Sequence, residues 1–241
     1  MFYFEKIDGK RILKSDLIKD VEAFLTTREI CLKSQEFDTT ENKKIIAKYL
    51  NISPENLISP TQTHSANIDV AIETRQNYPD TDALILTEKD LGIFLNFADC
   101  TPVILYDKKQ NIGAIAHAGW RGTAQKIAPL TVEKMGTNFN SKRKDIIAII
   151  GPAIGFCCYS VGEEVYEKLK ATVKNFDELS EIREGNIFVD LKNINKRQLE
   201  EIGIQEIDVC PYCTVCDNDK FFSYRNENAT TSRHSAVLKL R

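Results

Sequence analysis

The stretch Val103-Ile-Leu-Tyr-Asp-Lys-Lys-Gln-Asn-Ile-Gly-Ala-Ile-Ala116 holds two short apolar runs, 103–106 and 112–116, separated by the five polar residues 107–111. Runs of this length bounded by turn-forming residues suit buried strands, and a polar connection of five residues makes them a β-hairpin. A hairpin is antiparallel, which argues against a purely parallel, doubly wound sheet. Working outward, residues 84–86, 92–98 and 146–150 read as further buried strands, the last ending at Gly151-Pro152. Residues 43–50 carry apolar positions at helical spacing, with Thr40 or Asn42 as N-cap and Asn51 as a stop, before Pro54 and Pro60 lead into an extended segment. Residues 123–135 read as a helix closed by Gly136, 161–173 have helical periodicity, and Asp190 caps a helix through Ile202 that Gly203 ends. Strands resume at 207–209 and 235–240. Helices and strands interleave without repeats, low-complexity tracts or a clear linker, so the expectation is an α+β fold with mixed sheets in a single domain, 1–241.

The hairpin also has chemical consequences. With Asp107 opposite Ile112, Pro102 faces His117 and Cys100 faces Gly119, at the open end of the hairpin. Side chains alternate with period two, so Cys100 and His117 then share a face, and one metal ion could bridge them. A slip of one residue in register would turn one of them away. Pro102 is expected to end regular pairing and leave Cys100 at the strand mouth. The chain has only three histidines, in the settings Thr61-Gln-Thr-His-Ser65, Ala116-His-Ala-Gly-Trp120 and Ser232-Arg-His-Ser235. Two neutral imidazoles and a thiolate make a His2Cys set that suits zinc with its fourth position open. Zinc in such a set would lower the pKa of bound water to about 7. Asp99 is a candidate proton acceptor or partner to the ligands, and Arg121 a candidate for holding an anionic group. Against this stands a plainer reading, in which Cys100 is a small buried hydrophobe and each histidine a satisfied polar residue, because no compact motif links positions 64, 100 and 117.

Bulk properties narrow the function classes. The 241 residues are 42% hydrophobic and 28% charged, with a formal net charge of −3. That is the composition of an ordinary globular protein and not of a dedicated nucleic-acid binder. No apolar run reaches the roughly 20 residues that span a bilayer, and the first residues lack the layout of a signal peptide, so a cytoplasmic location is expected. Seven cysteines, an odd number in such a chain, point to thiols or metal ligands over a disulfide framework. The run Cys210-Pro-Tyr-Cys213-Thr-Val-Cys216 begins like a bacterial ferredoxin motif, but the fourth position is occupied by Lys220. It is expected to be a cysteine-rich turn or a redox-sensitive thiol group, the alternative being a metal site completed by Cys31, Cys157 or Cys158. The adjacent Cys157-Cys158 pair is expected to pack. Residues 221–225, Phe-Phe-Ser-Tyr-Arg, read as an aromatic strand whose arginine either lines a pocket or sits at a sheet edge.

The segments Gln62-Thr-His64, Asp82-Ala-Leu84, Ala98-Asp-Cys-Thr-Pro-Val103, Ala116-His-Ala-Gly-Trp-Arg-Gly122, Ile150-Gly-Pro152, Cys157-Cys-Tyr159 and Phe221-Phe-Ser-Tyr-Arg225 together resemble the YfiH/YlmD family, also called the laccase-domain or polyphenol oxidoreductase family. The resemblance spans roughly the last three quarters of the chain. It implies a layered α/β/β/α fold and maps the family's zinc ligands onto His64, Cys100 and His117. It implies action on purine nucleosides: phosphorolysis of adenosine, inosine, guanosine or methylthioadenosine, and deamination of adenosine. Phosphate would then fall to Arg121 and Arg225. The family's older polyphenol oxidase label implies copper, but three histidines in the whole chain cannot supply the ligands of several copper centres.

The sequence departs from the family pattern in places. Thr26-Thr-Arg28 is followed by Glu29-Ile30 where the family carries Gly-Gly, Asn42-Lys43 stands for an Asn-Arg pair, and Ser65 replaces a glycine after the first ligand histidine. Arg225-Asn226 and Thr231-Ser-Arg233 replace a double arginine and Thr-Gly-Arg. These changes spare the metal set and bear on substrate contacts. Two other functions fit the same residues: a metal-free cysteine hydrolase or amidase with Cys100 as nucleophile and His117 as base, which matches the family's link to peptidoglycan-precursor editing, and a non-catalytic zinc-binding partner protein.

Overall fold

The computed structural model describes residues 1–73, 75 and 77–241. The hairpin strands β8 (Thr101–Asp107) and β9 (Ile112–Ala118) lie at the centre of a six-stranded sheet. They pair in the register read from the loop, with Asp107 opposite Ile112 and Pro102 opposite His117. β8 continues through β10 (Ile146–Ile150) to β14 (Glu206–Val209), and β9 through β6 (Ala83–Leu86) to β5 (Ile68–Ala71); both edge strands join in parallel. A second six-stranded sheet runs β1 (Phe2–Ile7), β2 (Lys10–Ser15), β3 (Glu22–Thr26), β15 (His234–Lys239), β7 (Gly92–Phe97) and β4 (Leu57–Ile58), antiparallel except at β4. A small sheet is formed by β11 (Ser160–Val161), β13 (Asn186–Val189) and β12 (Ser180–Arg183).

Strand alternation explains the layering. Ile104, Tyr106 and Ile115 face the second sheet and pack with its Leu13, Leu25, Leu95 and Leu238. Their sequence neighbours Val103, Leu105 and Ala114 face the other way, onto Ile127, Val132 and Met135 of helix α3 (Ile127–Phe139) and Leu199 of α5 (Leu191–Glu201). On the far side of the second sheet, Phe24, Phe94 and Val237 cover Ile46 and Leu50 of α1 (Thr40–Leu50). The order is helix, sheet, sheet, helix, an α+β fold with mixed sheets. Each fully buried aliphatic side chain in these interfaces stabilises the fold by about 1.5–3 kcal/mol. The sheets approach closely at Gly113, where a Cβ would stand 2.4 Å from Leu238 Cδ2. Among the described residues no helix is long and apolar enough to cross a membrane.

Several expectations need correction. Pro102 does not end pairing: it lies inside β8, and its ring nitrogen falls on the side where β10 has already ended, while its carbonyl accepts from Gly151 N–H at 2.8 Å. The helix expected over 123–135 is two helices, α2 (Trp120–Ala124) and α3, broken at Lys126 in the left-handed region; Gly136 lies within α3, which ends at left-handed Asn140. Neither Thr40 nor Asn42 caps α1. Both lie inside it, and the Asp38 carboxylate accepts from Thr40 N–H. Helical periodicity over 161–173 is realised only in α4 (Glu163–Lys170). Residues 221–225 form turns and no strand, because Phe221 N–H bonds back to the Asp217 carbonyl and Ser223 N–H to the Glu227 carboxylate. Asp190 does cap α5, its side chain accepting from Asn193 N–H.

Candidate metal centre

The site sits at one end of the slot between the two large sheets. β7 belongs to one sheet and β8 to the other, so residues 98–100 must cross between them, and Asp99 makes the turn in a left-handed conformation at φ +82°. Both oxygens of its carboxylate are engaged: Oδ1 accepts from Thr214 Oγ1 at 2.6 Å and Oδ2 from Arg225 N–H at 2.7 Å. That geometry ties the turn to the 225 loop. The crossing presents the half-buried Cys100 at the slot's mouth. His117, next to last in β9, is buried on the inter-sheet face with its ring 5.3 Å from Phe97.

His64 arrives by a separate device, centred on Asp82. This buried carboxylate accepts from the backbone N–H groups of Thr63 (3.1 Å), His64 (3.1 Å) and Ser65 (2.7 Å), and from Ser65 Oγ (2.8 Å). Three consecutive N–H groups can converge on one carboxylate only if the loop curls tightly, and His64 takes the left-handed φ of +66° that allows it. The same carboxylate bonds His117 Nδ1 at 2.7 Å, which leaves Nε2 free to face the other ligands. Asp82 therefore orients both histidines, 18 and 35 residues away in sequence.

The outcome is a cluster in which one ligand atom from each of His64, Cys100 and His117 lies within 4.8 Å of the others. Zinc held at about 2.0–2.3 Å by nitrogen and sulfur donors keeps such atoms about 3.3–3.8 Å apart, so the set fits one tetrahedral ion with a small inward adjustment. Gly119 makes the fit possible: a Cβ there would stand 2.7 Å from Cys100 Sγ and 3.4 Å from His64 Cδ2. The charges prepare the site too. Burial works against ionisation of Cys100, but His117 and His64 outweigh it and lower the thiol to about 6. Burial likewise opposes charge on His117, yet Cys100 and Asp82 raise it to about 9. The third histidine is elsewhere: His234 is buried beside Phe221, ring centres 5.4 Å apart.

A cavity of about 440 Å³ opens over the cluster, within the size range of small-molecule sites. Arg121 and Arg225, the two arginines singled out from sequence, both line it. Lys33 and Arg233 join them, as do Ile154, Tyr159 and Tyr224. Asp82, Lys33 and Arg233 were missed as site residues. The signal for Asp82 was present, since a lone aspartate at the start of an apolar strand has to find partners, but its partners lie on other segments.

The model of the family described as multi-copper polyphenol oxidoreductase laccase matches residues 32–241. A purine nucleoside phosphorylase of Bacteroides thetaiotaomicron is 32% identical over 205 residues, 80% of this chain and 76% of that protein. An adenosine deaminase from an unknown prokaryotic organism is 30% identical over 97% of both chains. The crystal structure of the Bacillus licheniformis hypothetical protein YfiH superposes with a TM-score of 0.91 at 30% identity, over 99% of each chain.

Proposed function

The chain belongs to the family described as multi-copper polyphenol oxidoreductase laccase, of the YfiH type, and from that premise we propose that it is a zinc-dependent purine nucleoside enzyme, carrying out phosphorolysis of purine nucleosides and deamination of adenosine. The observation that carries this reading is the Asp82-braced set of His64, Cys100 and His117 at the base of a cavity ringed by four cationic side chains. Multi-copper chemistry does not fit the donors present, because only two imidazoles reach the site among the described residues.

In this reading His64, Cys100 and His117 hold the metal, which when bound supplies Lewis acidity. Asp82 fixes the His117 ring and its tautomer. Arg121, Arg225, Arg233 and Lys33 give phosphate a charge-complementary seat. Asp99 holds the Arg225 backbone in position, and the Arg225 guanidinium leans on the Ser160 carbonyl at 3.4 Å. Tyr159 and Ile154 offer an apolar wall to the base. Phosphorolysis needs a phosphate oxygen beside C1′ as the bond to N9 breaks and the purine leaves with a proton; deamination adds water at C6 and breaks the bond to the amino group, which leaves as ammonia.

Chromatography of products from a nucleoside panel, with and without phosphate, tests the proposal. Adenine and ribose 1-phosphate should form from adenosine only when phosphate is present, inosine should form without it, and Cys100→Ala should abolish both. Zinc-loaded protein that turns over no nucleoside would leave a zinc-binding partner protein as the better reading. A second enzymatic reading is favoured by the Asp82–His117–Cys100 chain of contacts, which has the layout of an oriented base beside a thiolate nucleophile, as a cysteine hydrolase needs. Full activity after metal removal would select it.

A further inference from the structure

Four of the remaining cysteines meet at a second place. Cys157 and Cys158, in the loop after Gly155, converge with Cys213 and Cys216, and all four sulfurs lie within 4.8 Å of one another. Cys216 Sγ stands 3.5 Å from both Cys157 Sγ and Cys158 Sγ. These separations are far longer than a disulfide bond and close to the about 3.8 Å between sulfurs of a tetrahedral tetrathiolate zinc ion with 2.3 Å bonds. The spacing is too tight for the sulfurs that surround an iron–sulfur cubane. Cys210 is excluded: it is buried in the core between the sheets, and Lys192 bonds its carbonyl at 2.7 Å.

The backbone around Cys213 is arranged for a metal thiolate. Cys213-Thr-Val-Cys216 turns back on itself, with Asp217 Oδ2 accepting from Cys213 N–H at 3.0 Å. Gly155 N–H donates to Cys213 Sγ at 3.1 Å from the opposite loop. A Cβ at Gly155 would stand 3.0 Å from Cys213 Cβ and 3.1 Å from Cys157 Sγ, so glycine is what lets the loops close together. Burial opposes ionisation of Cys213, but N–H groups of Cys216, Gly155 and Val215 outweigh it and lower its pKa; burial and crowding by Cys216 push Cys157 up to about 11.

We propose that Cys157, Cys158, Cys213 and Cys216 form a structural tetrathiolate site for one zinc ion, separate from the His64–Cys100–His117 centre. Binding converts the four cysteines to thiolates and releases thiol protons to solvent, with no change of oxidation state. The ion staples the 155–158 loop, which leads into Tyr159 of the cavity wall, to the 213–216 turn, whose Thr214 hydroxyl holds Asp99.

The test uses reduced full-length protein, stripped of metal, reloaded with zinc or cobalt(II) and desalted, in four forms: parent, Cys100→Ala, Cys216→Ser and the double variant. Expected zinc contents are two per chain, one, one and none. Cobalt-loaded Cys100→Ala should show the strong thiolate-to-cobalt absorption and intense visible bands of a tetrahedral four-sulfur site. That measurement stands alone if a serine variant folds poorly. A folded Cys100→Ala protein that takes up no metal, or whose cobalt spectrum lacks four-thiolate character, overturns the proposal. So does a second metal equivalent that persists in Cys216→Ser. Loss of two titratable thiols, restored by dithiothreitol and without metal uptake in Cys100→Ala, overturns it in favour of a redox pair.

Discussion

Replacing Asp82 by asparagine tests the idea that one carboxylate builds the metal centre. Oδ1 takes His64 N–H and His117 Nδ1, while Oδ2 takes Thr63 N–H, Ser65 N–H and Ser65 Oγ. An asparagine keeps one acceptor oxygen, so in either orientation its NH2 faces at least two donors. If the NH2 replaces Oδ2, two backbone N–H groups lose their partner in a buried place, at about 1–3 kcal/mol each. If it replaces Oδ1, it drives the proton of His117 onto Nε2, the nitrogen needed for the metal. The expected destabilisation in the first orientation is about 2–6 kcal/mol, with a fall in metal affinity of about 10–100-fold. Urea denaturation of metal-free protein measures the first, and competition against a chromophoric chelator the second. Ser65→Ala is the graded control: it removes the hydroxyl's bond to Asp82 and its acceptance from Asn67 N–H, each worth about 1 kcal/mol, but keeps every backbone bond to the carboxylate and should leave affinity nearly intact. Metal affinity of Asp82→Asn within about twofold of the parent would refute the reasoning, since a residue that truly orients metal ligands costs about tenfold or more when it is lost. Equal losses in Asp82→Asn and Ser65→Ala would refute it too, by showing that general loosening of the loop is responsible.

Four further outcomes follow from the same geometry. Gly119→Ala should weaken metal binding by about tenfold or more while chemical denaturation changes little, because the new methyl meets the ligand sulfur and not the core. In metal-free protein, iodoacetamide should alkylate Cys100 at a nearly constant rate down to about pH 6 and then more slowly, as mass spectrometry of the Cys100 peptide can follow; a decline beginning near pH 9, as for an ordinary thiol, would contradict the His117 pairing. Arg225→Ala should raise the phosphate KM by about tenfold, for loss of a charge-assisted contact, and spare phosphate-free deamination. Burial lowers His234 to about 3 from an ordinary 6.5, so the unfolded chain binds its proton more readily between those values and stability must fall as pH drops below about 6.5. At pH 5 this costs about 2 kcal/mol, and in His234→Phe the slope of unfolding free energy between pH 6.5 and 5 should flatten accordingly.

What was legible in the sequence was what local chemistry decides. The 107–111 loop sets the β8/β9 register, and that register puts Cys100 and His117 at one end of the hairpin on a shared face. Asp190 capped its helix as read, because the capping contact is only three residues away. The failures have longer reach. The break at Lys126 is invisible to periodicity, since the apolar positions of α3 continue the phase of α2 closely enough to look like one helix. Residues 221–225 have strand composition, but Asp217 and Glu227 take the Phe221 and Ser223 N–H groups and distant Asp99 takes that of Arg225, so these donors are not left for a ladder. Strands β1 and β2 carry mixed exposure and weak alternation and pair with each other, and only the pairing of β3 with β15, more than 200 residues on, ties this group to the rest of the sheet.

The cysteines make the same point about chemistry. Sequence spacing nominated 210, 213 and 216 as a group, yet the fold sends Cys210 into the core and replaces it with the adjacent pair at 157 and 158. A local motif counts residues along the chain, whereas a ligand set is selected by where loops cross. In both clusters the crossing is marked by a glycine whose missing Cβ leaves room for sulfur: Gly119 beside Cys100, and Gly155 beside Cys213 and Cys157. A buried acceptor or donor then holds the second loop in place, the Asp82 carboxylate at one site and the Gly155 N–H at the other. A glycine next to a cysteine-bearing strand end, with an aspartate lacking any partner nearby in sequence at the start of the neighbouring strand, is thus the pattern in which the His64 contribution could have been sought from sequence, and it is a pattern of three segments, which no single window along the chain contains.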